Sequence, residues 1–221
     1  MKPRIKPITR VQQNLLARSE RRLLNWLCAR LPQYVVPDHL TTLSLVGAAV
    51  IFVGYAASAT DPRWLLAAVA GFFIHWFGDS LDGSLARYRD IERPRFGYFI
   101  DHSADALGTL LIVVGIGLSP YVRLDVSLLA LAGYYLLSIH AFLAVRVVGE
   151  LKLSYVAAGP TELRLVLIAM TLAMFAIGRP VPSYGPWSVF DLAMGLAGLV
   201  LIAIFIVQTV TMARRILREG E

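Results

Sequence analysis

The sequence has a single cysteine, Cys28, so neither a disulfide framework nor a thiolate-bound metal cluster is open to it. It is also poor in charge: Asp, Glu, Lys and Arg make up 16% of the 221 residues, where soluble domains carry about 25%. Disorder is excluded as well, because it requires low hydrophobicity and high charge, and 57% of this chain is hydrophobic. No apolar core lies near the start, which argues against a secretory leader. No nucleic-acid module, internal repeat or low-complexity tract is visible. What is present is long neutral runs and a mean hydropathy of +0.64, the marks of a membrane protein.

Cutting the chain at its charges leaves six such runs, 39–60, 64–78, 106–122, 126–145, 165–178 and 192–213. A straight helix needs about 20 residues to cross the hydrocarbon. The first, fourth and sixth runs reach that length. The others fall short because ionisable residues lie inside the span: Asp79 and Asp82, Asp101 and Asp105, Glu162 and Arg164. The expected fold is therefore all-α, a polytopic membrane protein of six transmembrane helices over 39–213. A basic juxtamembrane segment (1–38) precedes that domain and a basic tail (214–221) follows it. With the N-terminus inside, every Lys and Arg except Arg63, Arg123 and Arg179 falls on the cytoplasmic side, so both termini are expected there. Leu16, Leu23, Leu27 and Leu31 alternate with Arg18, Arg21, Arg22 and Arg30, the pattern of an amphipathic helix on an anionic leaflet. Positive-inside topology alone would account for the same charge. A basic balance explained by topology implies no nucleic-acid partner.

Asp79 and Asp82 are three apart, and Asp101 and Asp105 four apart, so each pair shares one helix face. Counting inward from Trp64 and Phe96 puts both pairs about 8 Å inside the cytoplasmic boundary of a ~30 Å hydrocarbon core. One ionised carboxylate at a helix centre already costs about 2.5–3.5 kcal/mol, and four together add repulsion. Arg87 is the obvious cationic neighbour, and Arg146 and Arg164 would reach only through packing. Divalent metal compensates better, and an all-oxygen set suits Mg²⁺ or Mn²⁺. Two ions would let Asp79 and Asp101 bridge while Asp82 and Asp105 each complete one. A proton or cation relay in a transporter is the competing use of intramembrane acids. Against it stand a site near one face and the lack of an inverted repeat.

The run Asp79-Ser-Leu-Asp82-Gly83-Ser-Leu-Ala86-Arg87, followed by Gly97-Tyr-Phe-Ile-Asp101-His102-Ser-Ala-Asp105, resembles the signature of the CDP-alcohol phosphotransferase (CDP-alcohol phosphatidyltransferase) family. All eight defining positions are present: Asp79, Asp82, Gly83, Ala86, Arg87, Gly97, Asp101 and Asp105. The loop between Arg87 and Gly97 is one residue longer than usual. The resemblance implies six helices, a homodimer and a cytoplasm-facing cavity in the cytoplasmic membrane of a prokaryote, among membrane lipids. It implies that the hydroxyl of an acceptor attacks the β-phosphorus of a CDP-linked alcohol or lipid donor, with release of CMP. Gly83, Ala86 and Gly97 would then admit the nucleotide, with Asp82 beside it. Arg87 suits a phosphate, and Asp105 would be the general base. Asp38 stands where the family often has an Asn near the cytidine, and a helix cap is the other use for it. His102 and Glu162 match positions near the reacting hydroxyl in the choline and ethanolamine branch, which uses diacylglycerol as acceptor. The other branch uses CDP-diacylglycerol with a small polar acceptor. Arg146, Lys152 and Arg164 are the candidates for a substrate phosphate.

Overall fold

The computed structural model describes residues 9–10, 17–148, 150–151, 160–178 and 187–219. Within them the chain forms seven helices: α1 (Ala17–Cys28), α2 (Pro37–Ala57), α3 (Trp64–Tyr88), α4 (Pro94–Leu118), α5 (Leu124–Val148), α6 (Pro160–Ile177) and α7 (Val189–Glu219). The only strands among the described residues are β1 (Thr9–Arg10) and β2 (Glu150–Leu151), a parallel pair with Thr9 opposite Glu150. The all-α expectation holds. Five helices, α2 to α5 and α7, are long and apolar enough to cross a membrane. The 18-residue α6 carries Glu162 in its first turn. Charge-delimited runs understate these elements: α3 passes through Asp79 and Asp82 to Tyr88, and α4 starts at Pro94, upstream of Asp101. Arg214, Arg215 and Arg218 lie on the continuous helix α7.

The closest pairing is α2 against α3, and glycine makes it possible. A Cβ on Gly54 would stand 2.6 Å from the Ala68 nitrogen, and one on Gly71 would stand 2.8 Å from Ile51 Cγ1. In lipid, helices gain nothing from leaving water, so association relies on close van der Waals approach between small residues. Around the pair, Ile51, Phe72, Ile116, Val126, Met174 and Phe190 bring α2 to α7 into one apolar core. The Tyr55 and Thr171 hydroxyls share a hydrogen bond that ties α2 to α6 inside it.

At one end of the bundle, α7 opens with a reciprocal cap. Asp191 N–H donates to Ser188 Oγ at 3.0 Å, and Ser188 N–H donates to Asp191 Oδ2 at 2.8 Å. This satisfies two of the backbone donors that a helix start leaves unpaired. The other Asp191 oxygen accepts from the Arg123 N–H, which fastens the α4–α5 connection to the same cap.

At the opposite end, α1 lies against α3 in a second apolar cluster. Leu24 and Cys28 are buried with Leu40, Leu81 and Leu85, while Leu27 and Leu31 are partly covered. Leu23, expected on the apolar stripe, is 44% exposed, and Leu16 lies outside the described residues. The inward face is turned because Glu20 anchors the helix: its Oε1 accepts from Trp76 Nε1 at 3.0 Å and from Thr161 Oγ1 at 2.8 Å. Burial lifts the Cys28 thiol above its ordinary pKa, which keeps it protonated and unreactive. Arg89, just past α3, donates to the carbonyls of Leu31, Pro32, Gln33 and Val35 between α1 and α2.

The α2–α3 contact yields a direct prediction. Gly54→Val, remote from the acids, lowers stability by about 1–3 kcal/mol through overpacking. The readout is a lower thermal unfolding midpoint in detergent, and Ala70→Val on the exposed face of α3 leaves that midpoint in place.

Candidate active site

The four acids come together where the last turns of α3 meet the first turns of α4. Helical periodicity puts Asp79 and Asp82 on one side of α3, and the short 89–93 connection returns the chain so that α4 presents Asp101 and Asp105 toward them. Asp90 in that connection takes φ 54°, a left-handed conformation that aspartate tolerates better than most residues. Asp105 lies close enough to Asp79 and Asp101 for mutual repulsion, and Asp82 stands in the same relation to both.

Each acid is held differently. Asp82 is 7% exposed; Thr41 Oγ1 of α2 donates to its Oδ2 at 2.7 Å, and the Gly83 N–H donates to its Oδ1. Asp79 accepts from Arg164 Nη2 of α6 at 2.9 Å, and the same nitrogen lies 3.3 Å from His75 Nδ1. Asp105 Oδ2 is 3.6 Å from His102 Nδ1, which is ion-pair range rather than a hydrogen bond. An edge contact with Tyr98 at 4.4 Å between centroids and a tilted contact with Phe142 at 5.2 Å fix the His102 ring. Its Nε2 is buried with no hydrogen-bond partner among the described residues. One ligand atom each from Asp101, His102 and Asp105 lies within 4.8 Å of the others, a group able to hold a metal ion. With Asp79 and Asp82 facing it, this donor set fits a divalent cation of the Mg²⁺ or Mn²⁺ type.

The residues expected around a nucleotide divide. Arg87 is exposed and forms no ion pair with the acids among the described residues; Nη2 donates to Ser84 Oγ at 3.3 Å. A Cβ on Gly83 would meet only the Arg87 guanidinium, at 3.3 Å, and one on Gly97 would meet nothing within 4 Å. Neither glycine is required by packing among the described residues, which leaves room for a ligand beside them. Ala86 lies on the same last turns of α3, half-buried. Asp38 does not cap α2. Val36 occupies the cap position, and the Asp38 carboxylate forms an ion pair with Arg93, whose guanidinium stacks over Phe96.

The phosphate candidates do not converge. Arg146 is exposed in the last turn of α5, Arg164 is committed to Asp79, and Lys152 lies outside the described residues. Glu162 sits in the first turn of α6 and joins no ligand group among the described residues. Sequence reasoning missed Thr41 as a partner of Asp82 and His75 as a partner of Arg164. Thr41 carried a signal, since it follows Pro37-Asp38 at the start of α2 and faces into the bundle. His75 sits one helical turn before Asp79 on the same face of α3.

Comparison with known proteins places this geometry. The family described as CDP-alcohol phosphatidyltransferase matches residues 34–213. Over 97 residues the chain is 37% identical to cholinephosphotransferase 1 of Danio rerio, a stretch covering 41% of this chain and 25% of that protein. Its identity to cholinephosphotransferase 1 of Homo sapiens is 32% over 96 residues, covering 41% and 23%. To archaetidylinositol phosphate synthase of Pyrococcus horikoshii it is 44% identical over 62 residues, covering 28% and 32%. The chain thus spans less than a third of the length of these curated relatives in each match.

The contrast between Thr41 and Arg87 can be measured. Thr41→Val removes the hydroxyl that supports a buried carboxylate and costs about 2 kcal/mol, within the range for a hydrogen bond to a charged group. Arg87→Ala leaves the thermal unfolding midpoint unchanged, because its guanidinium meets only Ser84.

Proposed function

The chain belongs to the CDP-alcohol phosphatidyltransferase family, and from that premise we propose that it is an integral-membrane phospholipid-synthesis enzyme. It transfers a phosphoalcohol or phosphatidyl group from a CDP-linked donor to an acceptor hydroxyl and releases CMP. The observation that carries the reading is the convergence of Asp79, Asp82, Asp101 and Asp105 from two helices onto one spot, beside two glycines that packing does not require.

In this reading Asp79, Asp82, Asp101 and Asp105 hold two divalent ions, Mg²⁺ or Mn²⁺. When bound, the metal neutralises the pyrophosphate and stabilises charge moving onto the leaving CMP. The protein does the rest. Gly83, Ala86 and Gly97 leave room for the nucleotide, and Asp82, held by Thr41, keeps its place beside it. Arg87, unpaired with the acids and exposed, donates its planar fork to a phosphate. Asp105 accepts the proton of the acceptor hydroxyl as that oxygen forms its bond to the β-phosphorus. The bond from phosphorus to the CMP oxygen breaks, and its electron pair leaves with CMP. His102, pressed between Tyr98 and Phe142, orients Asp105 and shares the proton, and Glu162 flanks the hydroxyl from α6.

The sparse cations favour one acceptor class. A phosphorylated acceptor needs two or three convergent cations, and among the described residues Arg146 and Arg164 do not provide them. A neutral lipid hydroxyl such as diacylglycerol, with a CDP-choline or CDP-ethanolamine donor, is the better fit. The similarity to cholinephosphotransferases supports the same choice, whereas the similarity to an archaetidylinositol phosphate synthase supports the other branch. The proposal includes α6 as a sixth span, α1 lying at the membrane surface, both termini and the acids on the cytoplasmic side, and a homodimer.

The test is CMP release by the purified protein with Mg²⁺, using CDP-diacylglycerol, CDP-choline and CDP-ethanolamine against matched acceptors, and lipid products weighed by mass spectrometry. Asp79→Ala, Asp101→Ala and Asp105→Ala each lose about 10²–10⁴-fold or more. CMP without a lipid product indicates hydrolysis; donor binding without CMP removes the transferase reading. Near-normal turnover by the Asp105 variant removes its role as base.

A further inference from the structure

Among the described residues Arg164 is the one phosphate candidate that reaches the acids, and it does so in a half-satisfied state. It leaves the second turn of α6 and crosses to α3, where Nη2 donates to Asp79 Oδ2 at 2.9 Å and lies 3.3 Å from His75 Nδ1. The pair is largely enclosed, with 11% of the Arg164 side chain exposed and 20% of Asp79. Nη1 is buried with no hydrogen-bond partner among the described residues. A guanidinium carries five donors in a fixed fork suited to two parallel bonds with carboxylate or phosphate. Here half of that fork points at nothing that the described residues supply.

A divalent cation at Asp79 repels this guanidinium and takes up carboxylate charge that had held it, so metal binding weakens the Arg164–Asp79 pair. The helix that carries Arg164 is pinned on both sides. Thr161 donates to Glu20 at 2.8 Å, and Thr171 shares a hydrogen bond with Tyr55. An exchange at Asp79 therefore needs only a rotamer change of one long side chain, with α6 staying in place.

Resting on the metal-dependent reading above, we propose that Arg164 is the resident counter-ion of Asp79 in the metal-free protein. It yields Asp79 when a divalent cation binds and turns both terminal nitrogens to the pyrophosphate of the CDP-linked donor. Arg164 thereby keeps the acids compensated while the site is empty, and couples donor binding to metal loading.

The experiment compares the full chain with Arg164→Gln in two titrations: Mn²⁺ by electron paramagnetic resonance without nucleotide, then CDP with the site saturated in Mn²⁺. Arg164→Gln binds Mn²⁺ about tenfold tighter, because a competing charge is gone, and binds CDP about tenfold weaker, because the fork is gone. A merely structural role would weaken both. Mn²⁺ affinity unchanged or lowered in the variant overturns the counter-ion role, and unchanged CDP affinity overturns the transfer to phosphate. If neither protein binds Mn²⁺, the metal-dependent reading falls with it. Should Arg164→Gln not fold, the unsubstituted protein labelled with ¹⁵N-arginine decides, using Arg164→Lys to assign the resonance. Mg²⁺ alone moves the Arg164 side-chain Nε–H signal, and a signal that stays put refutes the exchange.

Discussion

Acids carried on membrane helices must be compensated where they stand, since no bulk water is at hand to solvate them. Here the compensation comes from several directions. A hydroxyl of α2 and a backbone N–H serve Asp82, an arginine of α6 serves Asp79, and His102, on α4 like Asp105 itself, lies beside Asp105. Helix α3 has to lie between α2 and α6 for this to work, and the packing of the bundle follows that requirement.

The glycines between α2 and α3 connect that electrostatic need to the fold. Thr41 reaches Asp82 at 2.7 Å because the two backbones approach more closely than larger residues would allow. A Cβ at Gly78, one residue before Asp79, would fall on the Leu40 carbonyl oxygen, so the positions that permit contact are interleaved with those that carry the acids. The apolar core and the Asp191 cap hold the far end of the bundle and leave the site end to polar contacts.

How much of this was legible in the sequence depended on how local the cause is. The register of Asp79 with Asp82 and of Asp101 with Asp105 follows from helix geometry, and the short charged loop returns the chain so that both pairs lie at one end of the bundle. Those features were readable. Arg164 could reach the acids only through packing, and whether it does depends on where α6 sits, which no spacing encodes. The basic residues of the 89–93 loop read as topology signals, yet Arg89 and Arg93 are spent on backbone carbonyls and on Asp38. The stripe on α1 was displaced for a similar reason: leucine spacing fits more than one face, and Glu20 selects the one that reaches Trp76 and Thr161. Asp191 borders the sixth neutral run and carries no spacing signal, yet it is a buried helix cap.

The Arg89 contact bears on how this chain can vary. One rigid guanidinium gauges the spacing of four carbonyls between α1 and α2, so that turn resists insertion or deletion even though its side chains are largely exposed. Lysine, a point charge with no fork, would grip fewer of those oxygens. Length polymorphism among homologous chains should accordingly be scarce at that bend and cluster at other connections.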